Sequence, residues 1–120
     1  MRVGYVVLYV NDAEACRTFW IDQVGMVEKH RSEAGPFNIV QVGFADQPFG
    51  FELVPLALMQ NNPDGLDLAT PSICFHADDL PAKRAELVSR GVQATEVGEH
   101  MGRPNFAFSD PEGKWFAVTP

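Results

Sequence analysis

One pattern of strand, helix and glycine is written twice in this chain. Val6-Val7-Leu8-Tyr9-Val10-Asn11-Asp12 leads into a helical stretch and then Gly25; Ile73-Cys74-Phe75-His76-Ala77-Asp78-Asp79 leads into another and then Gly91. The opening strands, Val6 and Ile73, are 67 residues apart, and the glycines, Gly25 and Gly91, are 66 apart. Phe44-Ala45-Asp46 is echoed by Phe108-Ser109-Asp110. A repeat on this scale restricts the fold to two similar modules, with a site expected where they meet.

Each copy reads as strand, helix and three strands. Residues 3–10 form an almost wholly apolar run, the signature of a buried strand. Asp12 is placed to cap a helix that runs to about Gln23, because its carboxylate accepts the free amide protons of the first turn. Ala13, Cys16, Phe19 and Trp20 make one apolar stripe along that helix. Strands are expected near 26–34, 37–45 and 49–55, punctuated by Gly35-Pro36 and Asp46-Gln47-Pro48. Residues 56–69 fit no period and read as the connection between module one, about 1–55, and module two, about 70–120. The second copy predicts a strand at about 71–77, then a helix capped by Asp78 or Asp79 with Pro81 in its first turn. Ala82, Ala85, Leu87, Val88 and Val92 are expected to supply its apolar side. Short strands near 93–98, 103–109 and 114–119 complete the copy, with Asp110-Pro111-Glu112-Gly113 as the turn before the last. The fold class is therefore α+β: two tandem βαβββ modules forming a cup-shaped mixed sheet, helices outside and a cavity inside.

Charge narrows the partners. Nine basic residues against sixteen acidic ones leave a net charge of −7. No basic stripe is present for nucleic acid, and an anionic membrane surface is equally disfavoured. A neutral or cationic small molecule is the compatible ligand. No stretch approaches the roughly 18 apolar residues of a membrane span. Asn11-Asp12 breaks the first apolar run before it resembles a secretory signal. The two cysteines, Cys16 and Cys74, have no metal-like spacing; buried thiols and a cytoplasmic location are expected. Gly98, Gly102 and Gly113 do not form a phosphate loop.

Leu8-Tyr9-Val10-Asn11-Asp12, Phe19-Trp20 with Gly25-Met26, Phe51-Glu52-Leu53, and Phe108-Ser109-Asp110-Pro111-Glu112-Gly113-Lys114 together resemble the glyoxalase/bleomycin resistance protein/extradiol dioxygenase superfamily, the vicinal oxygen chelate proteins. The resemblance spans essentially the whole chain. In metal-dependent members it implies four inward-facing ligands, which map onto Tyr5, Glu52, Ser72 and Ala117. Only Glu52 is a usual ligand, so no cofactor is predicted, and a divalent metal is not expected at the family site. The resemblance also implies a homodimer.

Several residues are candidates for a ligand site. Glu52 lies in an apolar strand, where a carboxylate needs a partner; that partner is either a ligand group or another side chain. Tyr5, Val7 and Tyr9 share one face of the first strand, so the tyrosines look into the cup if the aliphatic face meets the helix. Trp115 shares a face with Ala117. Such rings either line a pocket or fill a core. Ser72, Cys74 and His76 share a face of the fifth strand, yet four residues of strand span about 13 Å, so His76 cannot replace Ser72 at one metal. His76 lines the far end of the cavity or is a hydrogen-bonded, half-exposed side chain. His30 and His100 read as surface residues, and a set of His76, His100 and Glu52 is a further option that no spacing demands. Cys74 has no evident activating base, and Thr70 and Ser72 lack a Ser-His-Asp setting.

The expected function is binding of a small organic molecule in the cup without the usual metal, as in antibiotic sequestration. One alternative is a lactoylglutathione-lyase-like or dioxygenase-like enzyme using Glu52, with unconventional ligands or as a metal-free acid or base. Another is an accessory or regulatory module whose cup is filled by side chains.

Overall fold

The computed structural model describes residues 1–120. They form two compact units, Met1–Thr70 and Pro71–Pro120. Each holds one four-stranded mixed sheet and one α-helix. No helix is long and apolar enough to cross a membrane.

In the first unit the strands are β1 (Tyr5–Val10), β2 (Val27–Ala34), β3 (Phe37–Gly43) and β4 (Gly50–Pro55). Their spatial order is β1-β4-β3-β2, with β1 parallel to β4 and the remaining pairs antiparallel. Helix α1 (Ala13–Thr18) follows β1 and widens into a π-helical stretch, Phe19–Val24. Asp12 caps it by accepting from the Ala15 amide at 3.0 Å. Gly25, at φ 101°, ends it, a left-handed conformation in which a Cβ would be strained. The expected stripe is the buried one: Ala13, Cys16, Phe19 and Trp20 are all buried. They meet Leu8, Val10, Val40, Val42, Phe51 and Leu53, the alternate residues of β1, β3 and β4. Trp20 sits edge-on to Phe19 and to Phe51, each ring centroid 5.1 Å away.

In the second unit the strands are β5 (Cys74–His76), β6 (Gly98–His100), β7 (Arg103–Ser109) and β8 (Trp115–Thr119), in the order β5-β8-β7-β6. Helix α2 (Leu80–Ser89) is capped by Asp79, which accepts from the Ala82 amide at 3.0 Å. Its core is phenylalanine. Phe106, Phe108 and Phe116 are buried; Phe108 stacks on Phe116 at 5.7 Å, and Phe75 meets both. Asp110 organises the turn before β8 as expected, its Oδ1 accepting from the amides of Glu112 and Lys114, each at 2.9 Å. Burial raises the Asp110 pKa above the usual carboxylate range, against those two hydrogen bonds.

Four expectations are corrected. The apolar side of α2 is Leu80 and Leu87, joined by Val92; Ala82, Ala85 and Val88 are exposed. Leu80 and Leu87 lie seven residues apart, two turns on one face, and that face alone meets the sheet. Of the strand expected at 93–98, only a single bridge of Ala94 with Phe108 forms, and the regular strand runs Gly98–His100. Thr95 donates its amide to Ala107 O, but the Ala107 amide donates to the Thr95 hydroxyl; a side chain takes the place of a ladder carbonyl and interrupts the strand. The chain then turns back at Met101 and Gly102, both at positive φ, between paired His100 and Arg103. The strand expected at 71–77 shrinks to three residues, the span over which β8 pairs with it. Finally, Cys16 is buried but Cys74 is exposed, because Cys74 alternates with the inward-facing Phe75.

Candidate functional site

A helix covers one face of each sheet, and the other face is open to polar chemistry. On the first sheet the strand register aligns one row across all four strands. Val7 on β1 pairs with Glu52 on β4, Glu52 with Gln41 on β3, and Gln41 with His30 on β2. Paired residues point to the same side, and this is the side opposite Leu8, Val40, Phe51 and Leu53. The Gln41 side-chain nitrogen donates to Glu52 Oε2 at 2.7 Å. A carboxylate only accepts, so the amide must present its NH2 to Glu52 and keep its own oxygen as a further acceptor. Glu52 is half-buried between buried Phe51 and Leu53. The hydrogen bond from Gln41 engages one of its two carboxylate oxygens, Oε2.

Tyr5 and Tyr9 flank Val7 on the same face of β1. Tyr9 is half-buried and Tyr5 is 48% exposed. The aliphatic face of β1 packs on the helix, so the tyrosines do lie on the face of Glu52. Gln41 was not among the sequence candidates. Its signal was a polar residue inside Ile39-Val40-Gln41-Val42, but only the register shows that it meets Glu52.

The other candidates belong to the second unit. Cys74 pairs with Ala117, and His76 with Thr119, on the helix-free face of the second sheet. Thr119 Oγ1 lies 3.5 Å from both Cys74 Sγ and His76 Nδ1. His76 Nδ1 also lies 3.2 Å from the backbone oxygen of Pro120, to which it donates. Trp115 is 48% exposed on the strand that carries Ala117. Ser72 precedes β5 and is exposed. His30 and His100 are exposed.

The helix side of the first unit carries a different electrostatic feature. Arg31 on β2 reaches Glu14 on α1 at 2.6 Å and Glu28 at 2.8 Å, and Arg17 reaches Glu28 at 2.7 Å. Arg31, then Arg17, hold the Glu28 carboxyl down at about 2. This network links α1 to β2 through partly exposed ion pairs.

The resemblance implies metal ligands at Tyr5, Glu52, Ser72 and Ala117, and the chemistry of these side chains is unlike that of a divalent-ion site. Tyr5 offers a phenol, Ser72 a neutral hydroxyl and Ala117 a methyl group, which leaves Glu52 as a single usual ligand where a catalytic site needs about three. No group of three or more His, Cys, Asp or Glu side chains is gathered in a metal-binding arrangement.

Comparison with known proteins agrees with this architecture. Among solved structures, TnmS3, an antibiotic binding protein from Streptomyces sp. CB03234, superposes with a TM-score of 0.78 at 20% identity, over 99% of this chain and 94% of that one. A glyoxalase/bleomycin resistance protein/dioxygenase superfamily member from Sphaerobacter thermophilus DSM 20745 gives 0.80 at 22% identity, over 99% and 96%. A glyoxalase I mutant from Zea mays gives 0.75 at 21%, over 98% of this chain and 44% of the longer one. At these identities the likeness is one of fold. A search of the curated proteins returned no match. The glyoxalase-like domain model matches residues 5–119. The duplicated βαβββ units and this match over nearly the whole length place the chain in the glyoxalase-like domain family.

Proposed function

We propose that this protein binds a small organic molecule on the helix-free face of its first sheet, with Glu52 as the polar anchor. The observation that carries the reading is the Gln41–Glu52 hydrogen bond. It holds a half-buried carboxylate on a strand face that also bears Tyr9, and it engages one of the two carboxylate oxygens. A cationic or hydrogen-bond-donating ligand group completes such a carboxylate, and the aromatic rings supply apolar area beside it. A net charge of −7 favours encounter with a cation. The antibiotic-binding neighbour supports a sequestration role of the same kind, in which tight binding alone is the activity.

A panel of cationic glycopeptides and amines, followed by thermal shift and calorimetry, tests this. A ligand present at 100 times its Kd stabilises the fold by about 2.7 kcal/mol, a shift readily seen. Glu52→Gln keeps the shape and removes the charge, and is expected to weaken the binding of cations at least tenfold. A panel that moves neither the melting temperature nor the tryptophan fluorescence overturns the proposal.

A further inference from the structure

Glu52 differs from the other paired glutamates in what holds it. Glu14, Glu28, Glu86 and Glu96 each meet an arginine or a lysine, whereas the partner of Glu52 is the neutral amide of Gln41. No strand of the first sheet sends a basic side chain to Glu52. The basic residues on those strands are all on β2. Arg31 is held on the helix side by Glu14 and Glu28, Lys29 donates to the Gln47 backbone oxygen, and exposed His30 lies beyond Gln41 in the register. Glu52 and Gln41 are both half-buried. Two residues away on the same face stand Gly50 and Val54 on β4, and Ile39 and Gly43 on β3. The pair is therefore a polar spot within an apolar strip of those two strands.

The hydrogen bond also sets how the pair meets a ligand. With its NH2 turned to Glu52, the Gln41 amide keeps its oxygen as a second acceptor beside the carboxylate. A carboxylate carries roughly four lone-pair sites, and the contact from Gln41 takes one. Paired positions on neighbouring strands are about 4.8 Å apart, so the two acceptors rise side by side. Acceptors at that spacing are bridged by a cation with several N–H donors on one centre, the three of an ammonium or the planar fork of an amidinium. A quaternary ammonium has the charge but no N–H, and aromatic faces are its usual partners. Tyr5 and Tyr9 both stand on β1, about 13 Å apart along the strand. They border the pair on one side and do not enclose a cation.

We propose that this pair selects cations by their N–H donors: Glu52 and Gln41 together bind a primary ammonium or an amidinium and discriminate against a quaternary ammonium of equal charge. The inference rests on the Glu52 site proposed above and makes Gln41 its specificity-determining residue. Benzylamine, benzamidine and benzyltrimethylammonium share a ring and a single positive charge at neutral pH. Each is titrated separately into the ¹⁵N-labelled full chain and followed by NMR. The first two are expected to move the Gln41 side-chain NH2 saturably and to bind at least tenfold more tightly than the third. Gln41→Met keeps the length of the side chain and loses the amide. It is expected to narrow that gap at least threefold, whereas exclusion of the methyl groups by bulk alone would leave the gap unchanged. A wild-type gap below tenfold, or one that Gln41→Met leaves unchanged, overturns the inference. The wild-type comparison decides even where the variant does not fold. The two readings fail separately. Three ligands that bind alike, all weakened by Glu52→Gln, leave the Glu52 site standing and remove the selection by N–H donors. No saturable shift from any of the three removes both.

Discussion

The two units share one topology and present opposite chemistry. In each, an aspartate caps the helix through the amide three residues on, the first strand runs parallel to the last, and the last pairs antiparallel with the third. Yet the helix-free face of the first sheet carries a carboxylate, Glu52, while that of the second carries a guanidinium, Arg103. The cores differ as well: Trp20 edge-on to Phe19 and Phe51 beside aliphatic side chains in the first, a stack of phenylalanines in the second. The difference teaches where a duplicated fold resists change. Caps and strand pairing satisfy backbone hydrogen-bonding groups, so the same requirement recurs in both units. The helix-free face packs against no helix of its own unit, so its side chains diverge freely.

The cores are the place to break the comparison hardest. Phe51→Ala in the first unit and Phe108→Ala in the second are each expected to cost about 3–5 kcal/mol in chemical denaturation. A loss below 1 kcal/mol in either would show that core to be loosely packed.

The Asp110 turn has no equal in the first unit. Asp110→Ala strips the acceptor from two amides and is expected to cost about 1–3 kcal/mol, read from the same denaturation curves. An unchanged midpoint would refute that role. The helix caps, by contrast, should match. Asp12→Ala and Asp79→Ala are each expected to cost about 1 kcal/mol. Unequal losses would mean that one helix depends on its cap and the other on tertiary packing.

Acid separates Glu28 from Asp110. The folded pKa of Glu28 lies below its unfolded value of 4.5, at about 2. The unfolded chain therefore binds more protons in that window, and the stability from this group, present above pH 4.5, is lost as pH falls toward 2. Asp110 is the reverse case. Its folded pKa is raised by burial, so its contribution improves as pH falls through that raised value. Glu28→Gln should flatten the acid limb of a stability–pH curve by a small amount, as expected for partly exposed pairs. An acid limb identical to wild type would show the network to be energetically idle.

The helix stripe Ala13, Cys16, Phe19 and Trp20 was legible in the sequence because helical spacing alone brings those residues together. The alternation of β1 was equally legible, with its tyrosines opposite Leu8 and Val10. The apolar side of α2 was not. Apolar residues surround that helix, and only packing chose Leu80 and Leu87 over Ala82, Ala85 and Val88. The late start of β6 was hidden for a different reason: the Thr95 carbonyl accepts from Arg84 Nε on α2 at 2.7 Å while its hydroxyl accepts from the Ala107 amide, a choice made by tertiary contact and not by residue type. Glu52 stood out as a carboxylate in an apolar strand, whereas Gln41 and Arg103 did not stand out at all.

By itself, then, the sequence determined the duplication, the order of elements, the first cap and the turn at Asp110, and narrowed the second cap to Asp78 or Asp79, because each follows from contacts within a few residues or from a period along the chain. The tertiary structure decided which side chains meet. Glu52 finds Gln41 through strand register, and register is a property of paired strands that a single strand does not carry.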